Sequence, residues 1–227
     1  MKPLVAAKAL KRFLANPDNT EEVFAIVKAM SGNSLVRGFK RFQLTETGKK
    51  IIEEKRELLE TLQDREKLKQ NAPGSLGRSY LSFVQSEKIT ADGLVEASQE
   101  NVPPELENQS EELIAYGKRI RDQHDLWHVL TGYGRDTLGE VCLLWFTYAQ
   151  TKNRGLGFIA VGGAFKHYRE LGSGVFKAFL SAYRAGKRAA WLPQQDWEAM
   201  LEQPIDDIRK QLNIPEPKLY QRMVNVI

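Results

Sequence analysis

His124 and His128 stand four residues apart, and Glu140 follows twelve positions after the second of them. Helical residues four apart share a face, with Cβ atoms roughly 5–6 Å apart, so both imidazoles can reach one cation. Neutral imidazole nitrogen and ionised carboxylate oxygen are the donors of Zn, Mn and Fe(II) sites. Asp125 lies between the histidines in His124-Asp125-Leu126-Trp127-His128. It can serve as a fourth ligand, as a partner that orients an imidazole, or as a base acting on bound water. The plainer alternative is a partly buried, hydrogen-bonded histidine pair on a long helix. The spacing of Glu140 favours metal over that alternative.

That spacing needs a helical hairpin. Leu113 to Leu130 has helical periodicity and carries the histidines near its end. Thr131-Gly132-Tyr133-Gly134-Arg135 is a turn, because two glycines in three residues end a helix at little cost. Asp136 or Thr137 then caps a helix running to about Gln150. A short connection favours antiparallel neighbours, which returns Glu140 toward His124 and His128.

The rest of the chain reads as helical scaffold. Helices are expected after Asp18-Asn19-Thr20, over Thr45 to Gln63, over Val175 to Ala185 with Val175, Phe176, Phe179 and Leu180 inward, and over Ile205 to Leu212. Met1 to Arg12 reads as an amphipathic helix, since Lys8, Lys11 and Arg12 interrupt any signal-peptide apolar core. Leu156 to Phe165 is apolar on all sides and rich in glycine, which suits close helix packing or the wall of an apolar groove. Pro73-Gly74-Ser75-Leu76-Gly77-Arg78 suits a glycine-packed helix start or an anion-binding loop. Glu100 to Glu107 reads as an internal loop, and Pro215-Glu216-Pro217 as a loosely held tail. The expected fold is all-α: a single domain over 1–227 of about eight to ten helices with a helical-hairpin metal site.

Composition narrows the function. Hydrophobic residues make up 42% and charged residues 27%, as in soluble globular proteins. No apolar run approaches the ~18–20 residues that span a bilayer. Cys142 is the only cysteine, so no internal disulfide can form. The formal charge of +4 weakly favours acidic partners, but no basic run with interleaved aromatics marks a nucleic-acid binder. Asp125 has a shorter side chain than the glutamate of zinc-peptidase HExxH helices. No histidine precedes His124, which rules out the HD-phosphohydrolase pattern. No Walker loop, strand-linked GxGxxG or nucleophile elbow occurs.

His124-Asp125-Leu126-Trp127-His128, eleven residues, then Glu140 resembles the signature of the coenzyme Q (ubiquinone) biosynthesis protein four family. Asn16-Pro17-Asp18-Asn19-Thr20, Pro73 to Tyr80, Gly186-Lys187-Arg188-Ala189 and Trp197-Glu198 are similar to further segments of that family, in order. The resemblance implies an all-helical protein with His124, Asp125, His128 and Glu140 as ligands of a divalent metal, zinc foremost, with Mg2+, Mn2+ or Fe2+ as alternatives. Asp125 and Glu140 are the expected catalytic residues. It implies oxidative decarboxylation at ring carbon one of a polyprenylated aromatic acid in quinone biosynthesis. The alternative it carries is a non-catalytic, prenyl-lipid-binding scaffold within a quinone biosynthesis complex. The expected partners are a polyprenyl lipid or prenylated quinone precursor, a peripheral membrane surface and a second copy in a homodimer, with no nucleic acid. The expected location is a bacterial cytoplasm.

Overall fold

The structure, a computed structural model, describes residues 2–16, 20–30, 32–87 and 109–225. Every regular element among these residues is helical; the only β-type pairing is an isolated bridge from Ser75 to Pro204. The Glu100 to Glu107 segment, and Asp18 and Asn19, lie outside the described residues. No helix of the described residues is long and apolar enough to cross a membrane.

The chain groups into two compact units. The first comprises Met1–Gly38, Tyr133–Ala189 and Pro215–Ile227. Its helices are α1 (Pro3–Ala15), α2 (Thr20–Met30), the start of α3 (Ser34–Phe42), and then α10 (Thr137–Thr151), α11 (Arg154–Leu171), α12 (Val175–Arg188) and α15 (Lys218–Val224). Small residues let these helices approach closely. Ala6, Ala9, Ala29, Ile26 and Ile159 bury one cluster. A Cβ placed on Gly163 would meet Val141 Cγ2 at 2.5 Å, so α11 and α10 meet where only a hydrogen fits. The glycines of Leu156 to Phe165 are therefore packing residues.

The outward side of the same hairpin departs from the periodicity reading. Val175 and Phe179 are buried, but Phe176 and Leu180 are exposed. Helical spacing alone does not say how wide the covered stripe is, and here α12 covers only one row. The Pro215 to Pro217 tail also differs. It leads into α15, whose Tyr220 is buried, and that short helix holds through one aromatic anchor.

The second unit comprises Phe39–Gly132 and Ala190–Ile214. It holds most of α3, then α4 (Glu46–Glu53), α5 (Leu58–Gln63), α6 (Arg65–Gln70), α7 (Leu76–Ser86), α8 (Glu111–Asp122), α9 (His124–Thr131), a 3-10 turn (Leu192–Gln194), α13 (Trp197–Met200) and α14 (Ile205–Gln211). Two helices that the periodicity draws as continuous are broken. Thr45 to Gln63 divides where Lys55 turns to φ 49°. Leu113 to Leu130 divides at Gln123, whose side chain is wholly buried and accepts a 2.7 Å hydrogen bond from Trp197 Nε1. Apolar faces at i, i+3 and i+4 survive such breaks, so the pattern cannot reveal them.

Ser75 Oγ accepts from the Arg78 amide at 3.2 Å and so caps α7. The Gly77 amide donates to Leu201 O at 2.8 Å, and Arg78 Nη1 donates to Lys69 O at 2.7 Å. The Gly-Ser-Leu-Gly-Arg segment is thus a glycine-packed helix start.

Candidate metal centre

The turn that the spacing requires forms between the end of α9 and the start of α10. Gly132 closes α9 in the left-handed region at φ 71°, and its amide donates to His128 O at 2.9 Å. Asp136 caps α10, its Oδ1 accepting from the Leu138 and Gly139 amides at 3.1 and 3.0 Å. Gly139 sits against the turn so tightly that a Cβ there would meet Gly134 O at 2.2 Å. Glu140 follows in the first turn of α10, its amide 2.9 Å from Asp136 O.

His124, His128 and Glu140 come together: each offers one ligand atom, and these atoms lie within 4.8 Å of one another. Metal–ligand bonds of ~2.0–2.2 Å place tetrahedral donors roughly 3.3–3.5 Å apart, so the widest separation in the cluster has to close by at most about 1.5 Å. Two nitrogens and a carboxylate oxygen suit zinc and its first-row neighbours. The residues fit a divalent metal.

Each donor has its own support. His128 is 1% exposed and stacks on Phe83 of α7, centroids 5.6 Å apart and planes 22° apart. It meets the His124 ring edge-on at 4.8 Å and 73°. His124 is the more exposed of the two, with Nδ1 3.3 Å from Asp125 Oδ1. Asp125 therefore lies beside His124 and outside the three-residue cluster. A carboxylate on one imidazole nitrogen commonly orients the other toward a metal. Arg135 Nε stands 3.7 Å from Glu140 Oε1. Burial, and then the charge of Asp125, raise the Tyr80 hydroxyl above its ordinary pKa. Neutral Tyr80 and Phe83 thus lie on the α7 side of the histidines.

Several supporting residues leave no local mark in the sequence. Arg209 of α14 donates through Nε to Leu130 O at 2.9 Å and through Nη2 to Val129 O at 3.1 Å, capping the last turn of α9 with a cation. Tyr220 accepts from the Gly134 amide at 2.9 Å and donates to Asp136 Oδ2, so α15 clamps the turn ahead of Glu140. Tyr220→Phe leaves the Gly134 amide without its acceptor, and urea unfolding is expected to show a loss of about 1–3 kcal/mol. An unchanged midpoint would mean that the turn holds without the clamp.

Other reactive groups stay apart. His167 lies on α11, buried, with Nδ1 3.4 Å from Glu170 Oε2. Burial, and then Asp136, push the Cys142 thiol above its ordinary pKa, so thiolate chemistry has no support here. A cavity of about 440 Å³ beside Phe39, Lys49, Ile52 and Glu112 contains none of the cluster's residues.

Comparison with known proteins places the chain in a family. The family model described as coenzyme Q (ubiquinone) biosynthesis protein Coq4 matches residues 2–218. The mitochondrial ubiquinone biosynthesis protein COQ4 homolog of Rattus norvegicus is 31% identical over 227 residues, covering 97% of this chain and 81% of its own. The corresponding Danio rerio protein is 30% identical over 211 residues, covering 90% of this chain and 73% of its own. A crystal structure of a candidate ubiquinone biosynthesis protein from Nostoc punctiforme shares the fold. Its TM-score is 0.66 at 18% identity, over 93% of this chain and 98% of that one. The chain belongs to the coenzyme Q (ubiquinone) biosynthesis protein Coq4 family.

Proposed function

We propose that this protein acts in coenzyme Q biosynthesis as a metal-dependent oxidative decarboxylase, working at ring carbon one of a polyprenylated aromatic acid. The observation that carries the reading is the cluster of His124, His128 and Glu140. Three protein donors leave a coordination position open, as in catalytic sites, whereas structural zinc is usually closed by four. Family membership supports the pathway.

When bound, a divalent ion, zinc foremost, supplies a Lewis acid that holds the substrate carboxylate and stabilises developing charge. His124, His128 and Glu140 hold that ion. Asp125, beside His124 Nδ1, orients the imidazole and stands ready to take a proton from the substrate. Arg135 steadies the Glu140 carboxylate. Phe83 and the buried His128 face keep water from one side. The ring loses its carboxylate as carbon dioxide and gains a hydroxyl. Dioxygen supplies that oxygen atom, and its second atom leaves as water, taking two electrons from a separate two-electron reductant of the reduced nicotinamide or flavin class and two protons from solvent.

The test is turnover of a prenylated hydroxybenzoic acid under labelled dioxygen, with a reduced nicotinamide or flavin supplied as reductant, by the metal-loaded protein. Label in the product hydroxyl, lost in Asp125→Asn, is the expected result. Metal-loaded protein that releases neither carbon dioxide nor product, while its Glu140→Gln variant loses binding to other quinone enzymes, would replace catalysis with the scaffold role.

A further inference from the structure

We propose that the exposed face of the α11–α12 hairpin docks on an anionic lipid surface. The inference goes beyond the chemistry of the head group. It rests on the quinone reading only in that a prenylated substrate resides in a bilayer.

Apolar side chains stand out of this face in two rows. On α11, Val161, Phe165 and Tyr168 follow at i, i+4 and i+7, with Phe165 62% exposed. On α12, Phe176 and Leu180 follow at i and i+4, with Leu180 47% exposed. The Tyr168 and Phe176 rings meet at 5.5 Å, which joins the rows across the short turn at 172–174. Scattered exposed apolar residues need no explanation, but two adjoining rows on one hairpin mark an interaction site.

Charge selects the occupant. Residues 154–188 carry seven Lys and Arg against the single acid Glu170, whereas the whole chain carries 33 against 29. Arg169 stands four residues after Phe165, Arg184 four after Leu180, and Lys177 beside Phe176, all exposed. A second copy fits this face poorly. A two-fold contact would set the same cations against themselves, and like charges across an interface are strongly unfavourable. An anionic membrane satisfies both halves of the pattern: cations meet headgroups while the aromatic and aliphatic tips enter the acyl boundary.

Co-sedimentation of the full chain with phosphatidylcholine vesicles, with and without phosphatidylglycerol, tests this. Binding is expected only with phosphatidylglycerol and is expected to weaken as salt rises. Each cation near such a surface contributes about fivefold to partitioning, so Lys177→Glu with Arg184→Glu should lower it at least twentyfold. Phe165→Asp with Leu180→Asp should abolish it while circular dichroism and bound metal stay as in wild type. Leu44→Asp, at an exposed leucine of the second unit, should bind like wild type. Indifference of the wild type to anionic vesicles would overturn the proposal. So would retention of duplex DNA in place of vesicles, or vesicle binding unchanged in both double variants. A face that instead pairs copies would show as a wild-type dimer made monomeric by the aspartates with vesicle binding intact. Vesicle binding that survives in a Glu140→Gln protein devoid of turnover would leave this face standing whatever became of the decarboxylase reading.

Discussion

The wild type is expected to purify with about one divalent ion per chain, and His128→Ala without it. Removing a residue that merely orients a ligand commonly costs 10–100-fold in metal affinity. Removing a donor exceeds that, so competition with a chelator should show a loss of more than about 100-fold. His128 is also the buried member of the cluster, packed on Phe83, and alanine there leaves a void as well as a missing nitrogen. Glu140→Gln separates the two effects. Its side chain keeps its volume and is 35% exposed, and its ion pair with Arg135 is a long one at 3.7 Å. Such pairs contribute about 0–1 kcal/mol, so the fold should hold while the metal is lost. Elemental analysis beside thermal unfolding reads both quantities. Full metal content in both variants would dissolve the site.

The turn and the site residues that flank it were legible because their determinants are local. The i, i+4 histidines, the glycines after Thr131, the Asp136 cap and the return of Glu140 all lie within one stretch of sequence. The all-α class was legible for the same reason, since helix faces and caps repeat over a few residues. What lay hidden is long-range or depends on coverage. Arg209 reaches the last turn of α9 across 79 and 80 positions, and Tyr220 reaches Asp136 across 84. No local spacing encodes those partners. The break at Gln123 was hidden because it is fixed by Trp197, 74 residues away. The outward turn of Phe176 and Leu180 was hidden because apolar type does not report what packs against it. Asp125 stood open to three roles in the sequence, and its place beside His124 Nδ1 favours the orienting one.

Glu198→Ala should cost more stability than loss of any surface ion pair in the molecule. Arg119 of α8 is 3% exposed and forms a two-pronged pair with Glu198, Nη1 to Oε1 at 2.7 Å and Nη2 to Oε2 at 2.8 Å. Its Nη2 also donates to Gln195 O at 3.1 Å. Arg56 extends the array, with Nη1 2.8 Å and Nη2 3.2 Å from the Asp196 carboxylate. Burial works to raise the Asp196 carboxyl, yet the hydrogen bonds from Arg56 and the Ala199 amide outweigh it and hold the pKa below its ordinary value. An ion pair taken out of water gains little over apolar packing, but removing one partner strands the other charge. Alanine at 198 strands the Arg119 guanidinium, at a cost of about 3–5 kcal/mol. For a chain of this size each kcal/mol moves the midpoint by about 2–4 °C, so Tm should fall by roughly 6–20 °C. Glu198→Gln keeps one acceptor and should fall between the variant and the wild type. Lys210→Ala, which breaks an exposed pair with Asp207, should change Tm by no more than a few degrees. The consequence reaches the histidines. Glu198 and Trp197 are neighbours on α13, holding Arg119 and Gln123 at the end of α8, and α9 begins at the next residue. Loosening that anchor should lower metal affinity in Glu198→Ala even at temperatures where the protein remains folded. Wild-type affinity in a variant with a lowered Tm would show that α9 sets the histidine geometry without that anchor.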